Sequence, residues 1–428
     1  MEKEIIAGII FVCMYALIVT EKVHRTIAAM LGGVLMIALG IMPQETALHH
    51  IDFNTLGLLV GMMMIVALTS RTGVFNYIAV LAAKKAKADP VKILIYLSVI
   101  TAVCSAFLDN VTTVLLMVPV TFGITKKLHV NTRPYLLVQI IASNVGGTAT
   151  LIGDPPNIMI GSAVKELTFA AFINNLGPIA LLNLIIVLGI VVFLYRKDLV
   201  TKPELKETIM SLDEKKEIKS RSLLKKCLFV LGLVVLGFFC HGALEIESSL
   251  IALAGAFFLL LIIGRDVQFI ESAFEGVEWV TIFFFIGLFV AVGGLVETGV
   301  IREIAVEGIA LTGGDTLLTS LLVLWLSAIV SSFLDNIPFV ATMIPLIQDM
   351  GSMGVGNLTP VWWSLALGAC LGGNGTIIGA SANLIVAGMA AERGVNISFV
   401  DYLKIGFPLM ILTIVVSTAY VYLRYFVL

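Results

Sequence analysis

Charge is scarce in this chain. Only 13% of its 428 residues are Asp, Glu, Lys or Arg, whereas 59% are hydrophobic and mean hydropathy is +1.05. A soluble domain carries about 25% charged residues. A chain this apolar cannot cover itself with polar groups, which excludes a water-soluble globule and implies a polytopic membrane protein whose main partner is the lipid bilayer. Cysteine is sparse too. Cys13, Cys104, Cys227, Cys240 and Cys370 are scattered, with no CxxC pair, so neither a disulfide framework nor a zinc site is indicated. No GxxxxGK[ST] loop is present, which argues against ATP-driven chemistry. Ser-His-Asp and metal-ligand spacings are missing, so the chain does not read as an enzyme. His24, His49, His50, His129 and His241 fall near expected loops or span ends and read as interfacial. No basic arm interleaved with aromatics suggests nucleic acid, and a net charge of −2 says nothing about partners.

What is present is a series of apolar runs. Spans are expected near 5–20, 26–42, 52–70, 134–163, 176–195, 227–241, 248–264, 278–296, 360–390 and 405–424. The first follows "MEKE", lacks an A-x-A-like cleavage site, and reads as a retained helix. Stretches 91–127 and 316–349 read as hairpins, each with two apolar arms meeting at a Leu-Asp-Asn tip. Residues 196–226 form a polar linker with ten Lys/Arg and six Asp/Glu, read as a solvated cytoplasmic loop. Alternation then puts 21–25, 71–92, 126–133, 265–277 and 391–404 on the linker's side. That side holds all but Lys3, Lys165, Arg302 and Arg424 of the 27 basic residues. By the positive-inside rule both termini face out, in a cytoplasmic membrane.

The strongest signal is a repeat. Asp335 lies 226 positions after Asp109, and the same shift carries Thr72-Gly73-Val74 onto Thr298-Gly299-Val300. It carries "GGTATLIGDPPN" (146–157) onto "GGNGTIIGASAN" (372–383) with six of twelve identical, and 101–120 onto its counterpart with nine of twenty. Residues 1–195 are thus a first repeat, 196–226 a linker and 227–428 a second repeat. Each repeat has five spans, an odd number, so the two insert with opposite topology. The fold class is an all-α polytopic membrane protein of two inverted repeats, each with a re-entrant-like hairpin and a broken helix.

The break is expected because Pro155 and Pro156 remove helix donors, while Gly146, Gly147 and Gly153 loosen the chain before them. Gly372, Gly373 and Gly379 stand at the matching places of the second repeat. Broken backbone at membrane depth is tolerated only against protein or a water-filled cavity. At the tips, Asp109-Asn110 and Asp335-Asn336 place ionisable groups where insertion costs roughly 2.5–3.5 kcal/mol each. They read either as a paired polar site or as N-caps of the second hairpin arms. Asp154 has Ala380 as its counterpart, so it breaks the symmetry. It reads as a proton carrier or cation ligand, or as an N-cap before Pro155.

"FLDNVTTVLLMVPVT" followed by "ASNVGGTATLIGDPPNIMIGSA" resembles the ion transporter superfamily, in the branch holding P protein-type permeases, NhaD-type sodium/proton antiporters and ArsB-type arsenite permeases, which shares a citrate transporter-like domain. The resemblance covers about residues 5–425. It implies hairpin tips that meet the helix breaks, and a homodimer that moves a transport domain against a scaffold. It implies a site of Asp109, Asn110, Thr112, Thr113, Asn144, Thr148, Thr150, Asp154 and Asn157 in the first repeat. Asp335, Asn336, Asn374, Thr376, Ser381 and Asn383 follow in the second. No cofactor is implied beyond Na+ or H+ as coupling ion. The Ser-Asn-Thr tips of related dicarboxylate symporters are replaced by Leu-Asp-Asn, and negative tips suit cations, protons or neutral arsenite better than citrate. Cys104 and Cys370 near the site read as core-filling thiols. The expected activity is secondary active transport of a small ion, arsenite or antimonite among them, driven by a proton or sodium gradient. Na+/H+ exchange is the alternative, followed by organic anion transport or a channel.

Overall fold

Lipid offers no hydrogen bonds, so apolar segments that cross it close their backbone bonds internally as helices. The computed structural model describes residues 2–20, 22–264 and 267–427, and these are helical with no strand. The first half contains α1 (Glu2–Thr20), α2 (Arg25–Ala38), α3 (Gln44–His49), α4 (Phe53–Ser70), α5 (Val74–Lys85), α6 (Pro90–Phe107), α7 (Asn110–Leu128), α8 (Arg133–Thr148), α9 (Pro155–Ala163) and α10 (Phe169–Tyr195). The linker carries α11 (Pro203–Met210) and a 3-10 turn (Glu214–Glu217). The second half contains α12 (Arg221–Leu244), α13 (Ser248–Ile263), α14 (Val267–Glu275), α15 (Trp279–Glu297), α16 (Val300–Thr312), α17 (Thr316–Phe333), α18 (Asn336–Ser352), α19 (Thr359–Gly372), α20 (Ser381–Glu392) and α21 (Phe399–Tyr422), ending in a short π turn (Leu423–Val427). Among the described residues, nine helices are long and apolar enough to cross a membrane, and α2 and α13 are shorter apolar helices. Large side chains such as Ile9, Val12, Leu236, Phe239 and Leu261 stay exposed on outward faces, as a chain surrounded by lipid allows.

Helix starts repeat at the 226-residue offset. Phe53 matches Trp279, Pro90 matches Thr316, Asn110 matches Asn336, Arg133 matches Thr359 and Pro155 matches Ser381. Packing is reciprocal as well. α2 lies along α15 and its counterpart α13 along α4, while α7 touches α20 and α18 touches α9. Each half thus packs on the other through helices at matching positions.

The expected broken spans are the pairs α8/α9 and α19/α20, and both hairpins turn at Leu-Asp-Asn. Two readings need correction. Residues 71–92 are not a plain loop, because Gly73, in the left-handed region at φ +80°, turns the chain into α5. Nor is the linker a simple solvated loop. Proline opens α11, whose Ile209 is fully buried, and the linker docks on the membrane-end loops. There Lys84 Nζ meets Glu214 Oε2 at 2.6 Å, Thr201 Oγ1 donates to the Leu128 carbonyl at 2.6 Å, and Lys219 N donates to the Thr72 carbonyl at 2.9 Å.

The loops gather on two faces. Arg133 pairs with Asp401 at 2.9 Å, and Lys226 reaches the Ile262 carbonyl at 2.8 Å, on the linker's face. Lys3 to the Gly40 carbonyl (2.6 Å), His50 to Glu297 (3.0 Å) and Lys165 to Glu247 (3.6 Å) mark the other. Of the basic-side loops, Arg265 lies outside the described residues.

The hairpins reach the breaks through glycine. A Cβ on Gly146 would stand 2.2 Å from the Ala102 carbonyl oxygen, and one on Gly372 would stand 2.6 Å from that of Ala328, the residue matching Ala102. Gly146→Val and Gly372→Val should each cost about 1–3 kcal/mol or more. Gly123→Ala, with open space around it, should hold or raise stability. Thermal melting in detergent checks this, and equal losses in all three variants would contradict the packing described. The Lys84 ammonium holds the Glu214 carboxyl below its ordinary range. The contact therefore contributes fully at neutral pH and fades only as pH falls through that lowered value. Glu214→Gln should speed tryptic cleavage at Lys215 and Lys216 at neutral pH, and an unchanged rate would mean that the contact does not dock the linker.

Candidate functional site

Each hairpin turns because one residue leaves the helix. Leu108 is extended (φ −122°, ψ 158°), as is Leu334 (φ −124°, ψ 149°), and the Asp that follows becomes the N-cap of the next arm. Asp109 Oδ1 accepts from Thr112 N at 2.8 Å, and its Oδ2 accepts from Thr112 Oγ1 at 2.5 Å. Such a cap is worth about 1 kcal/mol. The second tip cannot copy it. Pro338 stands where Thr112 would, with neither N–H nor hydroxyl, and Asp335 Oδ1 retains a 3.3 Å bond from Ile337 N. Its other oxygen accepts from Arg25 Nη1 at 2.5 Å and from Ser381 Oγ at 2.9 Å. One repeated Asp is thus closed on its own helix, and the other is held by a cation from α2.

Each break is bound by one asparagine. Asn157 Nδ2 lies 3.3 Å from the Gly147 carbonyl oxygen, 3.2 Å from that of Thr148 and 2.9 Å from that of Thr150. Its counterpart Asn383 donates to Gly373 O (2.7 Å) and Thr376 O (2.9 Å). Thr150 Oγ1 donates to the Ala106 carbonyl and Thr376 Oγ1 to that of Ser332, tying each break to the first arm of its own hairpin. Ser105 to Ser143 O (2.6 Å) and Ser331 to Ala369 O (2.7 Å) reinforce the same seams.

The two breaks meet through side chains. Asn144 Nδ2 donates to Asn374 Oδ1 and Asn383 Oδ1, both at 3.0 Å, and its own Oδ1 accepts from Asn110 at 3.2 Å. Cys370, in the matching position to Asn144, turns its Sγ to Asn157 Oδ1 at 3.4 Å. The break of each half is therefore touched by the span of the other.

Beside this lattice is a small cavity of about 30 Å³. Asp109, Asn110, Asp154, Asn336 and Ser381 line it, together with Arg25, Glu278 and Thr281. Asp154 is 1% exposed; neither carboxyl oxygen makes a hydrogen bond of good geometry, and the Cys370 thiol and Asn336 amide are the donors that face it. It occupies the N-cap position of α9 yet makes no cap bond, so the capping reading holds for Asp109 and Asp335 and fails for Asp154. Thr113 Oγ1 and Asn374 Nδ2 are also buried without a partner, but away from the cavity wall. An unpaired buried polar group costs about 1–3 kcal/mol, and a carboxylate more, so the arrangement suits a ligand that enters the cavity.

Of the fifteen expected residues, Asp109, Asn110, Asp154, Asn336 and Ser381 line the cavity, Asn144, Asn157, Asn374 and Asn383 form the lattice beside it, Asp335 lines the neighbouring space with Arg25, and Thr113 lines neither. Thr112, Thr148, Thr150 and Thr376 serve backbone and cap contacts and do not line the cavity; Thr148 Oγ1 returns to Asn144 O at 2.7 Å. Arg25, Glu278 and Thr281 were missed. Arg25 counts as a loop charge when the chain is read by spans. Glu278-x-x-Thr281 lies at the 226 offset from Asp52-x-x-Thr55, and in both the Thr hydroxyl donates to the acid, so the repeat held that signal.

Helix breaks, capped tips and a buried acid-lined cavity define a polytopic membrane transporter, and the chain belongs to the citrate transporter family, whose model matches residues 15–368. An uncharacterised transporter of Mycobacterium tuberculosis is 41% identical over 431 residues, 99% of each chain. The 46 kDa membrane protein of Mycobacterium leprae is 40% identical, again over 99% of each. Human P protein is 35% identical over 497 residues, covering 97% of this chain and 59% of that one. Among solved structures, the YdaH transporter of Alcanivorax borkumensis matches with a TM-score of 0.59 at 14% identity, over 92% of this chain and 95% of that one, a likeness of fold.

Asn157→Leu and Asn383→Leu should each lower stability by about 1–3 kcal/mol, the former more, because it strands more carbonyls. Thr148→Ala, which removes one buried hydroxyl bond and strands no backbone carbonyl of the break, should cost about 1 kcal/mol. Melting curves in detergent decide, and a silent Asn157→Leu would refute the role given to that side chain.

Proposed function

We propose that the protein is a secondary active transporter in which a monovalent cation and a proton compete for the acid-lined cavity between the tips and the breaks. The observation that carries this reading is Asp154, a buried carboxyl faced by the neutral donors Cys370 and Asn336 but held by no well-formed hydrogen bond, on the wall of a cavity that also meets Asp109 and Glu278. Burial disfavours the charged form of a carboxyl, so such a group is held protonated or on a cation. A cavity of about 30 Å³ suits a bare ion or a water, not a tricarboxylate. Na+ or Li+ exchanging with H+ is therefore the first choice. Arsenite or antimonite would find one thiol, Cys370, in the lattice.

A second reading rests on a different observation. The N-termini of α7, α9, α18 and α20 all contribute to the cavity, and α20 alone opens without an acidic cap, at Ala380 beside Ser381 and Arg25. Positive helix ends and a guanidinium suit a carboxylate, in keeping with the family name. In both readings the halves are inverted repeats, residues 1–195 and 227–428, joined by the linker. The basic face then lies in the cytoplasm with both termini outside the cytoplasmic membrane. The homodimer belongs to the same reading, and cross-linking in native membranes would test it.

In liposomes with a trapped pH dye, external Na+ or Li+ should drive a proton flux that Asp154→Asn abolishes. Silence to cations, together with citrate-dependent flux that survives Asp154→Asn, would establish the second reading instead.

A further inference from the structure

Arg25 breaks the repeat. Its counterpart is Ile251, so Asp109 has no cation where Asp335 has one. The guanidinium makes 2.5 Å and 2.6 Å contacts to Asp335 Oδ2 and Ser381 Oγ, and its Cζ stands 5.1 Å from the centroid of the Phe284 ring. Three elements that the repeat would leave independent, α2, the second hairpin tip and the second break, are pinned at one point.

That point lies between two spaces. A vestibule of about 380 Å³ beside the start of α2 has mostly apolar walls, with Tyr15, His24, Arg25, Asp335 and Ser381 as its polar members. The central cavity of about 30 Å³ holds Asp154 and Asp109. Arg25 and Ser381 line both spaces. The ion pair is therefore the partition between them. The Arg25 side chain is 28% exposed and the Asp335 side chain 12%, so the guanidinium can swing towards the vestibule while Asp335 stays in the wall. Arginine cannot shed its charge, and Asp335 lines the vestibule beside it, so the partition is a neutral ion pair until one member is displaced.

We propose that Arg25 is the charge filter of the transport path, a built-in counter-cation whose pairing with Asp335 and Ser381 closes the vestibule from the central cavity and which an incoming monovalent cation displaces from Asp335. This deepens the cation reading above and rests on it for the identity of the displacing ion. A vestibule anion has no such exchange open to it, because it would pair with Arg25 and leave Asp335 uncompensated in a site of low dielectric, a costly arrangement. The filter therefore selects by sign of charge, while the carboxyls beyond it hold the ion. It also explains why Pro338 is tolerated at the second tip. Asp335 is excused from the full cap that Asp109 makes and is free to serve as the latch.

The test is the rate at which a thiol in the central cavity becomes reachable. Thr281→Cys places it there, and Val23→Cys places a control in the vestibule. Reaction with Ag+, a monovalent thiol-reactive ion that a space of about 30 Å³ can admit, is followed site by site by mass spectrometry in detergent. With Arg25 present, Cys at 281 should react slowly. In R25Q it should react about tenfold faster, the change expected for losing one partly buried pair. R25K should remain slow, and Val23→Cys should react alike in all backgrounds. If R25Q does not fold, R25Q/D335N removes both charges and should show the same acceleration. Na+ should speed modification of the Arg25-containing protein. In liposomes, R25Q should lower the KM for the driving cation without raising kcat. Equal rates at 281 with and without Arg25 would overturn the proposal, since a bond that only braces helices need not open a path. Protection of 281 by citrate, with no effect of Na+, would also overturn it and make Arg25 a substrate ligand. Modification needs no transport, so the partition can stand where the cation reading fails, and the reverse.

Discussion

A helix interrupted inside a bilayer exposes carbonyls and amides that lipid cannot satisfy, and the rest of this structure follows from how that debt of hydrogen bonds is met. Asn157 gathers three carbonyls of the first break, and Asn383 gathers two of the second. Because those side chains are spent on the backbone, their remaining oxygens face the opposite half, where Asn144 and Cys370 donate to them. The same two residues that make each break possible therefore fasten the breaks to one another. Glycines at 146 and 372 then let the hairpins approach closely enough for Thr150 and Thr376 to reach them.

On this symmetric frame the chemistry sits in the departures from symmetry. Asp154 against Ala380, Thr112 against Pro338, and Arg25 against Ile251 are the substitutions that turn two equal halves into one site with two kinds of carboxyl. Asp109 is committed to its helix and Asp335 to Arg25, whereas Asp154 faces only the neutral donors Cys370 and Asn336 and makes no well-formed bond. A buried acid without a partner is the group with most to gain from a proton or a cation, which is why the functional reading centres on it.

Much of this was legible in the chain. The 226-residue offset, the Pro-Pro break and the Leu-Asp-Asn tips are written in residue types whose backbone behaviour is strongly constrained, and the helices start where the offset puts them. Membership of a transporter family was legible in the same motifs. The short helices α3, α5, α14 and α16 were not, because apolar runs measure what crosses lipid and are blind to helices at its edge. Arg25 escaped for a related reason. Charge counting treats every Arg near a span end as a loop residue, whereas its long side chain reaches from the start of α2 to the second hairpin tip. Asp154 was readable as a cap or as a site, and only the absence of a cap bond separates the two.

The account stands on exchange of a proton for a cation at buried carboxyls, and that exchange can be measured at equilibrium without a membrane. Purified protein in weakly buffered detergent would be titrated with Na+ or Li+ while free protons are followed. The account predicts saturable proton release that disappears in Asp154→Asn. Absence of release at any cation concentration, with saturable heat on adding citrate instead, would contradict it.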